Sequence, residues 1–176
     1  EYAWTLGSIF WPGPLTIILR KSSLASPLIT GHQEYVALRV PDNLITLKLL
    51  EQSLSLGVYG LAAPSANRFG EVSPTNTKDL LAGLEKYLSS DDLVLEGGKC
   101  KIGIESTIID CTSKLPYVVR PGIISTEEIY QSLKIDTEDS TIRSELISIG
   151  KKNIKSPGLA QKHYSPKAQV SIGPET

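Results

Sequence analysis

Methionine is absent from this chain of 176 residues, and cysteine, histidine, tryptophan and phenylalanine occur only twice each. Cys100 and Cys111 lack CxxC spacing and have few histidines near them, so neither a disulfide framework nor a metal site is legible. Two thiols in a reducing compartment are the expectation. Charge of one sign is also missing in excess. Lys plus Arg number 18 against 19 for Asp plus Glu, a net charge of -1, which removes the electrostatic case for bulk nucleic-acid binding and leaves any RNA contact local. No apolar run approaches the ~20 residues of a membrane span. No basic-then-apolar leader opens the chain, so a cytoplasmic protein without membrane association is expected. A chain that starts Glu1-Tyr2-Ala3-Trp4 and has no methionine also leads us to expect processing or truncation ahead of Glu1. Neither GxxxxGK[ST] nor GxGxxG is present. No Ser/His/Asp or Cys/His arrangement has a usable spacing, so covalent nucleophilic catalysis is not expected.

What is present fits one globular domain, expected over residues 1–147, with a linker over 148–176. After the Trp11-Pro12-Gly13-Pro14 turn, the β-branched run 14–20 reads as a strand, and 35–40 as a second. Pro41-Asp42 offers a helix start, with Leu44, Leu47, Leu50 and Leu54 at helical spacing before Gly57. Residues 58–63 read as another strand. A helix capped by Thr77 is expected through about Leu88, with Leu80, Leu81, Leu84 and Leu88 on its apolar face. Strands at 92–96, 104–111 and 117–120 follow, then a short helix opened by Ser125 or Thr126 with Glu128 close behind. Some strand-to-strand steps are too tight for a helical crossover, so the fold class is α/β with a mixed parallel and antiparallel sheet. From about Lys134 the composition turns acidic and polar, then proline-bearing; the two proline motifs do not belong to a regular element, and this end reads as an ordered or semi-ordered linker.

Candidate chemistry lies in small polar residues next to strands. The loop APSANRFGEVSPT (63–75) offers Ser65, Asn67, Ser73 and Thr75 just ahead of a helix N-terminus. It reads either as an anion receptor or as an ordinary capped loop. Ser106 stands at the mouth of an apolar strand and Arg120 ends the next. If those strands are neighbours, both face one crevice, where the arginine could pair with phosphate or carboxylate oxygens; a solvated strand-end arginine is the alternative. Arg39 either points to solvent or lines a pocket.

Taken in order, WPGPLT (11–16), VALRVPD (36–42), APSAN (63–67) with Ser73-Pro74-Thr75, ESTIID (105–110) and VRPG (119–122) resemble the YrdC-like family of threonylcarbamoyl-AMP synthases. The likeness runs from about residue 8 to 125. Ser156-Pro157-Gly158 and His163-Tyr164-Ser165-Pro166-Lys167 are similar to the linker of the two-domain form. The resemblance implies a twisted mixed sheet with flanking helices. It implies synthesis of threonylcarbamoyl-AMP from L-threonine, bicarbonate and ATP, with Mg2+ on the triphosphate and pyrophosphate as the other product. Downstream tRNA threonylcarbamoyl transfer proteins would take the activated group. Residue by residue, it implies that Arg39, the Ala63 backbone and Ser106 hold threonine. Ser65, Asn67, Ser73, Arg120 and the Tyr35 backbone would serve ATP, with Tyr164 closing over the nucleotide. It also implies a Lys/Arg-bearing segment ahead of the region at 11–16, after which this chain begins, so full activity is not expected of these residues alone. An RNA-binding module without adenylate synthesis and a carbamoyl-adenylate domain of the hydrogenase-maturation type are the competing implications.

Overall fold

The computed structural model describes the backbone of residues 1–150 and the side chains of residues 1–147. Among the described residues two compact units are distinguished, one built from Glu1–Ala62 with residues 101–150, the other from Ala63–Cys100.

The first unit holds a four-stranded sheet. Its strands are β1 (Leu15–Arg20), β2 (Tyr35–Leu38), β3 (Thr107–Asp110) and β4 (Tyr117–Arg120), in the order β2-β1-β3-β4. β1 runs antiparallel to β2 and parallel to β3, and β3 runs antiparallel to β4. The mixed sheet with flanking helices expected from the sequence is what forms. β1 and β3 are central because LTIILR and TIID are β-branched and apolar enough to be covered on both faces. All four residues of β3 are buried.

Side-chain alternation then sorts the two faces. Leu15, Ile17 and Ile109 join Leu6, Ile124, Ile129 and Tyr130 in the core cluster. Thr16, Ile18 and Ile108 lie on the other face, since Thr16 pairs with Ile108 in the β1–β3 register.

Helix α1 (Tyr2–Phe10) was not foreseen. Its Leu6 is fully buried, and the following Trp11 donates its indole N–H to the Leu15 carbonyl at 2.7 Å, fixing the entry into β1. α2 (Leu44–Ser55) starts one residue later than the Pro41-Asp42 signal suggested, because Asn43 is the cap: its side chain accepts from the Thr46 N–H at 3.1 Å. α4 (Thr126–Ser132) carries a full capping box between Ser125 and Glu128, as its sequence foretold. α5 (Ser140–Gly150) is a regular helix in the region from Lys134, where no helix was foreseen. Asp139 is the overlooked signal. Its carboxylate accepts from the Thr141 and Ile142 N–H groups, and those bonds hold its pKa below the usual carboxylate value.

The second unit contains α3 (Thr77–Leu84), one 3-10 turn at Glu85–Tyr87, and loops. α3 is capped by Asn76 rather than Thr77. Residues 58–63 and 92–96 are not strands. The N–H of Val58 folds back onto the Ser53 carbonyl at the end of α2. Asp92 is turned onto Ser89, and Glu96 onto Gly98. At 92–96 short side-chain bonds to nearby backbone have displaced the extended pairing that the apolar residues suggested, leaving Leu93 and Leu95 exposed.

Candidate active site

Three chain segments meet at the start of the parallel strand pair. Ser106 lies two residues before Ile108, so alternation puts its side chain on the face that carries Thr16 and Ile108. Thr16 Oγ1 and Ser106 Oγ are 2.8 Å apart. Arg120 is the β4 partner of Ile108 and reaches the same place. Its Nε and Nη2 donate to the Ser106 carbonyl at 3.2 and 2.9 Å, and Nη2 also donates to the Ser106 hydroxyl at 3.2 Å. The Arg120 side chain is only 13% exposed, and Glu105 lies 3.9 Å from it. Strands 104–111 and 117–120 are thus neighbours, and Ser106 and Arg120 do face one another. The arginine grips Ser106 itself rather than standing free at a strand end.

Gly122 explains how Ser106 can sit so close. A Cβ at Gly122 would meet the Glu105 carbonyl oxygen and the Thr107 hydroxyl at 2.7 Å, closer than real Cβ atoms come to anything. Only glycine lets the segment after β4 lie against 105–107. Thr107 ties the two together from the core side. Its hydroxyl donates to the Ile124 carbonyl at 2.8 Å and accepts from the Ile124 N–H at 3.2 Å.

Arg39 stands on the opposite side of Thr16. The β1–β2 register pairs Ile17 with Leu38, and one further step sets Arg39 across from Thr16. Arg39 is exposed as a residue, yet its Nε donates to the Gly13 carbonyl at 2.9 Å, which fixes the guanidinium. Gly13 is buried, and a side chain there would strike the Phe10 carbonyl oxygen. A row therefore crosses the sheet from Arg39 through Thr16 to Ser106 and Arg120. Tyr35 begins β2, opposite Arg20.

The second unit holds Ala63, Ser65, Asn67 and Ser73. Ala63 and Ser65 are exposed. Asn67 organises the loop: its Nδ2 donates to the Arg68 and Glu71 carbonyls, both at 2.9 Å, and its Oδ1 accepts from the Ser73 hydroxyl at 3.0 Å. Arg68 lies over the Tyr87 ring, 5.3 Å from its centre, and 3.7 Å from Glu71. Behind the loop is a cavity of about 330 Å³ lined in part by Asn67, Ser73, Thr75, Leu80 and Leu84. The N-terminus of α3 is closed by its own side chains. Asn76 accepts from the Asp79 N–H at 2.9 Å, and the Asp79 carboxylate occupies the first turn. Tyr164 lies outside the described residues.

Sequence reasoning missed Thr16, Gly13 and Gly122 as builders of the site. The available signals were the Thr within an otherwise apolar strand and the glycines next to Pro12 and Pro121.

The comparisons with known proteins agree with this architecture. The Sua5/YciO/YrdC family model, described as "Telomere recombination", matches residues 1–122. The threonylcarbamoyl-AMP synthase of Pyrococcus abyssi is 38% identical over 98% of this chain and 47% of its own length. That of Bacillus subtilis is 36% identical over 98% of this chain and 46% of its own. The chain thus spans about half the length of these curated relatives. Among solved structures, the crystal structure of P. abyssi Sua5 complexed with L-threonine superimposes with a TM-score of 0.75 at 35% identity, covering 95% of this chain and 46% of that one. E. coli YciO superimposes with a TM-score of 0.60 at 28% identity, over 73% of this chain and 60% of its own. The chain belongs to the Sua5/YciO/YrdC family.

Proposed function

We propose that this chain carries the synthesis of threonylcarbamoyl-AMP from L-threonine, bicarbonate and ATP, with release of pyrophosphate, for threonylcarbamoyladenosine modification of tRNA. The observation that carries the reading is the row of Arg39, Thr16, Ser106 and Arg120 across a sheet that superimposes on a relative complexed with L-threonine. Two guanidinium groups flanking a hydroxyl suit the carboxylate of an amino acid on one side and phosphate oxygens on the other.

The chemistry asks for positioning more than for a protein nucleophile. The threonine amine takes up bicarbonate as a carbamate, with loss of water. A carbamate oxygen then attacks the α-phosphorus of ATP, the bond to the bridging oxygen breaks, and pyrophosphate leaves. Alignment and charge neutralisation carry such a step. In this reading Arg39, Ser106 and the Ala63 backbone hold threonine. Ser65, Ser73, Arg120 and the Tyr35 backbone hold ATP, Asn67 braces the loop, and Tyr164 covers the nucleotide. Mg2+ would arrive on the triphosphate oxygens. Transfer to tRNA would fall to separate proteins. A cytoplasmic setting accompanies ATP and tRNA as reactants; no helix among the described residues is long and apolar enough to cross a membrane.

The test is pyrophosphate release by the full polypeptide, expected only when threonine, bicarbonate and ATP are all present. Tight RNA binding without threonine-dependent release would overturn the reading in favour of an RNA-binding module. Release that ignores threonine but responds to carbamoyl phosphate would favour the carbamoyl-adenylate alternative.

A further inference from the structure

The hydroxyl of Ser106 has one hydrogen and two lone pairs. Arg120 can only donate, so its Nη2, 3.2 Å away, takes one lone pair. The second contact, to Thr16 Oγ1 at 2.8 Å, can run either way. If Ser106 donates to Thr16, its hydrogen is used and a lone pair is left for a ligand. If Thr16 donates, both lone pairs are used and the hydrogen is left to point outward. The same serine is thus an acceptor toward its ligand in the first case and a donor in the second. Ser106 is only 8% exposed, so it has little water with which to average the two states.

We propose that Thr16 is a positioning residue that donates to Ser106 and makes it a dedicated hydrogen-bond donor toward an anionic group, the substrate carboxylate. This rests on the reading of Ser106 as part of an L-threonine site. Its support is geometric. Thr16 is the strand partner of Ile108, and one step beyond the last β1–β2 pair it stands across from Arg39, at the centre of the polar row. It is also a hydroxyl residue on a strand otherwise made of Leu and Ile up to Arg20. A carboxylate brings no hydrogen, so it is compatible only with the orientation in which Thr16 donates. A carboxamide can offer an N–H and is served by either orientation.

The test uses the full polypeptide with Thr16→Val, which keeps shape and loses the hydroxyl, and Thr16→Ser, which keeps the hydroxyl. Thr16→Val is expected to raise the KM and Kd for L-threonine about threefold to tenfold, the scale of the one neutral hydrogen bond that orients the Ser106 hydroxyl. The KM for ATP should change less than that for threonine, because Ser65 and Ser73 are not bonded to Thr16 and Arg120 keeps its two bonds to the Ser106 carbonyl. Thr16→Ser should recover most of the affinity. L-threonine amide supplies a second readout: the preference for the acid over the amide should shrink in Thr16→Val and return in Thr16→Ser. Should Thr16→Val not fold, Thr16→Ala carries the same expectations. A wild type that fails to release threonine-dependent pyrophosphate overturns the site reading and this proposal together. A wild type that does release it, beside a folded valine or alanine variant with unchanged threonine affinity and unchanged acid-over-amide preference, overturns the role of Thr16 alone. Equal losses in the valine and serine variants would do the same, since they would mark a packing effect.

Discussion

None of residues 63–100 is buried, whereas all four residues of β3 and three of the six in β1 are. The two units place their predicted ligand-binding residues by different means. In the sheet unit, Ser106 and Arg120 are located by strand register and by close backbone packing at Gly122. In the loop unit, Asn67 and Ser73 are located by hydrogen bonds among themselves and to nearby carbonyls, on a segment in contact with water. Register is set by the whole core. Loop bonds are individually worth about 1 kcal/mol net, and they can open one at a time.

The largest effect that separates the units is expected from Ile109→Ala. Ile109 is fully buried in the core cluster, so the loss should be about 3–4 kcal/mol in denaturant unfolding. Leu80→Ala, on the partly exposed α3, should cost under about 1.5 kcal/mol by the same measurement. Equal losses would break the contrast. Next comes Gly122→Ala, where backbone at Glu105 and Thr107 stands in the way. Overpacking of this kind costs about 1–3 kcal/mol, and it should displace Ser106 as well. Stability and threonine affinity should fall together, and a variant that loses neither would remove Gly122 from the architecture of the site.

The difference between the units also sets what could be read from the sequence. All four strands were legible, and β1 and β3 most directly, because β-branched apolar runs bounded by turn residues have few alternatives in a buried sheet. The proximity of Ser106 and Arg120 followed once their strands were taken as neighbours. The strands expected at 58–63 and 92–96 failed for one reason. Apolar alternation says only that a segment could pair, while Asp92, Glu96 and the flanking Gly57 and Gly98 decide locally that it turns back. α1 was missed because YAWTLGSIF buries only Leu6 and carries no capping side chain. Thr16 was missed because its meaning lies in a partner 90 residues away. Long-range polar contacts leave no periodic trace.

A pH test probes the sheet unit more gently. Burial, reinforced by the neighbouring Asp110 carboxylate, pushes the Cys111 thiol up to about 12 from an ordinary value of 9.0. The folded state therefore holds the proton through a range in which the unfolded chain gives it up. This contribution is whole below pH 9 and is lost as pH rises from 9 toward 12. Since the thiol is half-buried and partly screened, the expected loss by pH 11 is about 1–2 kcal/mol. Cys111→Ala should flatten that limb of the stability profile; an unaltered limb would place its origin elsewhere.

The smallest effect is the most pointed, because it has the opposite sign to Gly122→Ala. Gly83 lies within α3, and a Cβ there would meet nothing within 4 Å. Replacing it with alanine removes backbone freedom from the unfolded chain and adds no clash, a gain of about 0.5–1 kcal/mol. If the loop unit opens on its own, that gain belongs to the local opening and not to global unfolding. Hydrogen exchange of the α3 amides should then slow a few-fold in Gly83→Ala, while the denaturation midpoint followed at β1 and β3 stays in place. A midpoint that rises in step with α3 protection would mean that the two units unfold as one. In that case the loop residues Asn67 and Ser73 would be held by the cooperativity of the sheet, and not by their own hydrogen bonds alone.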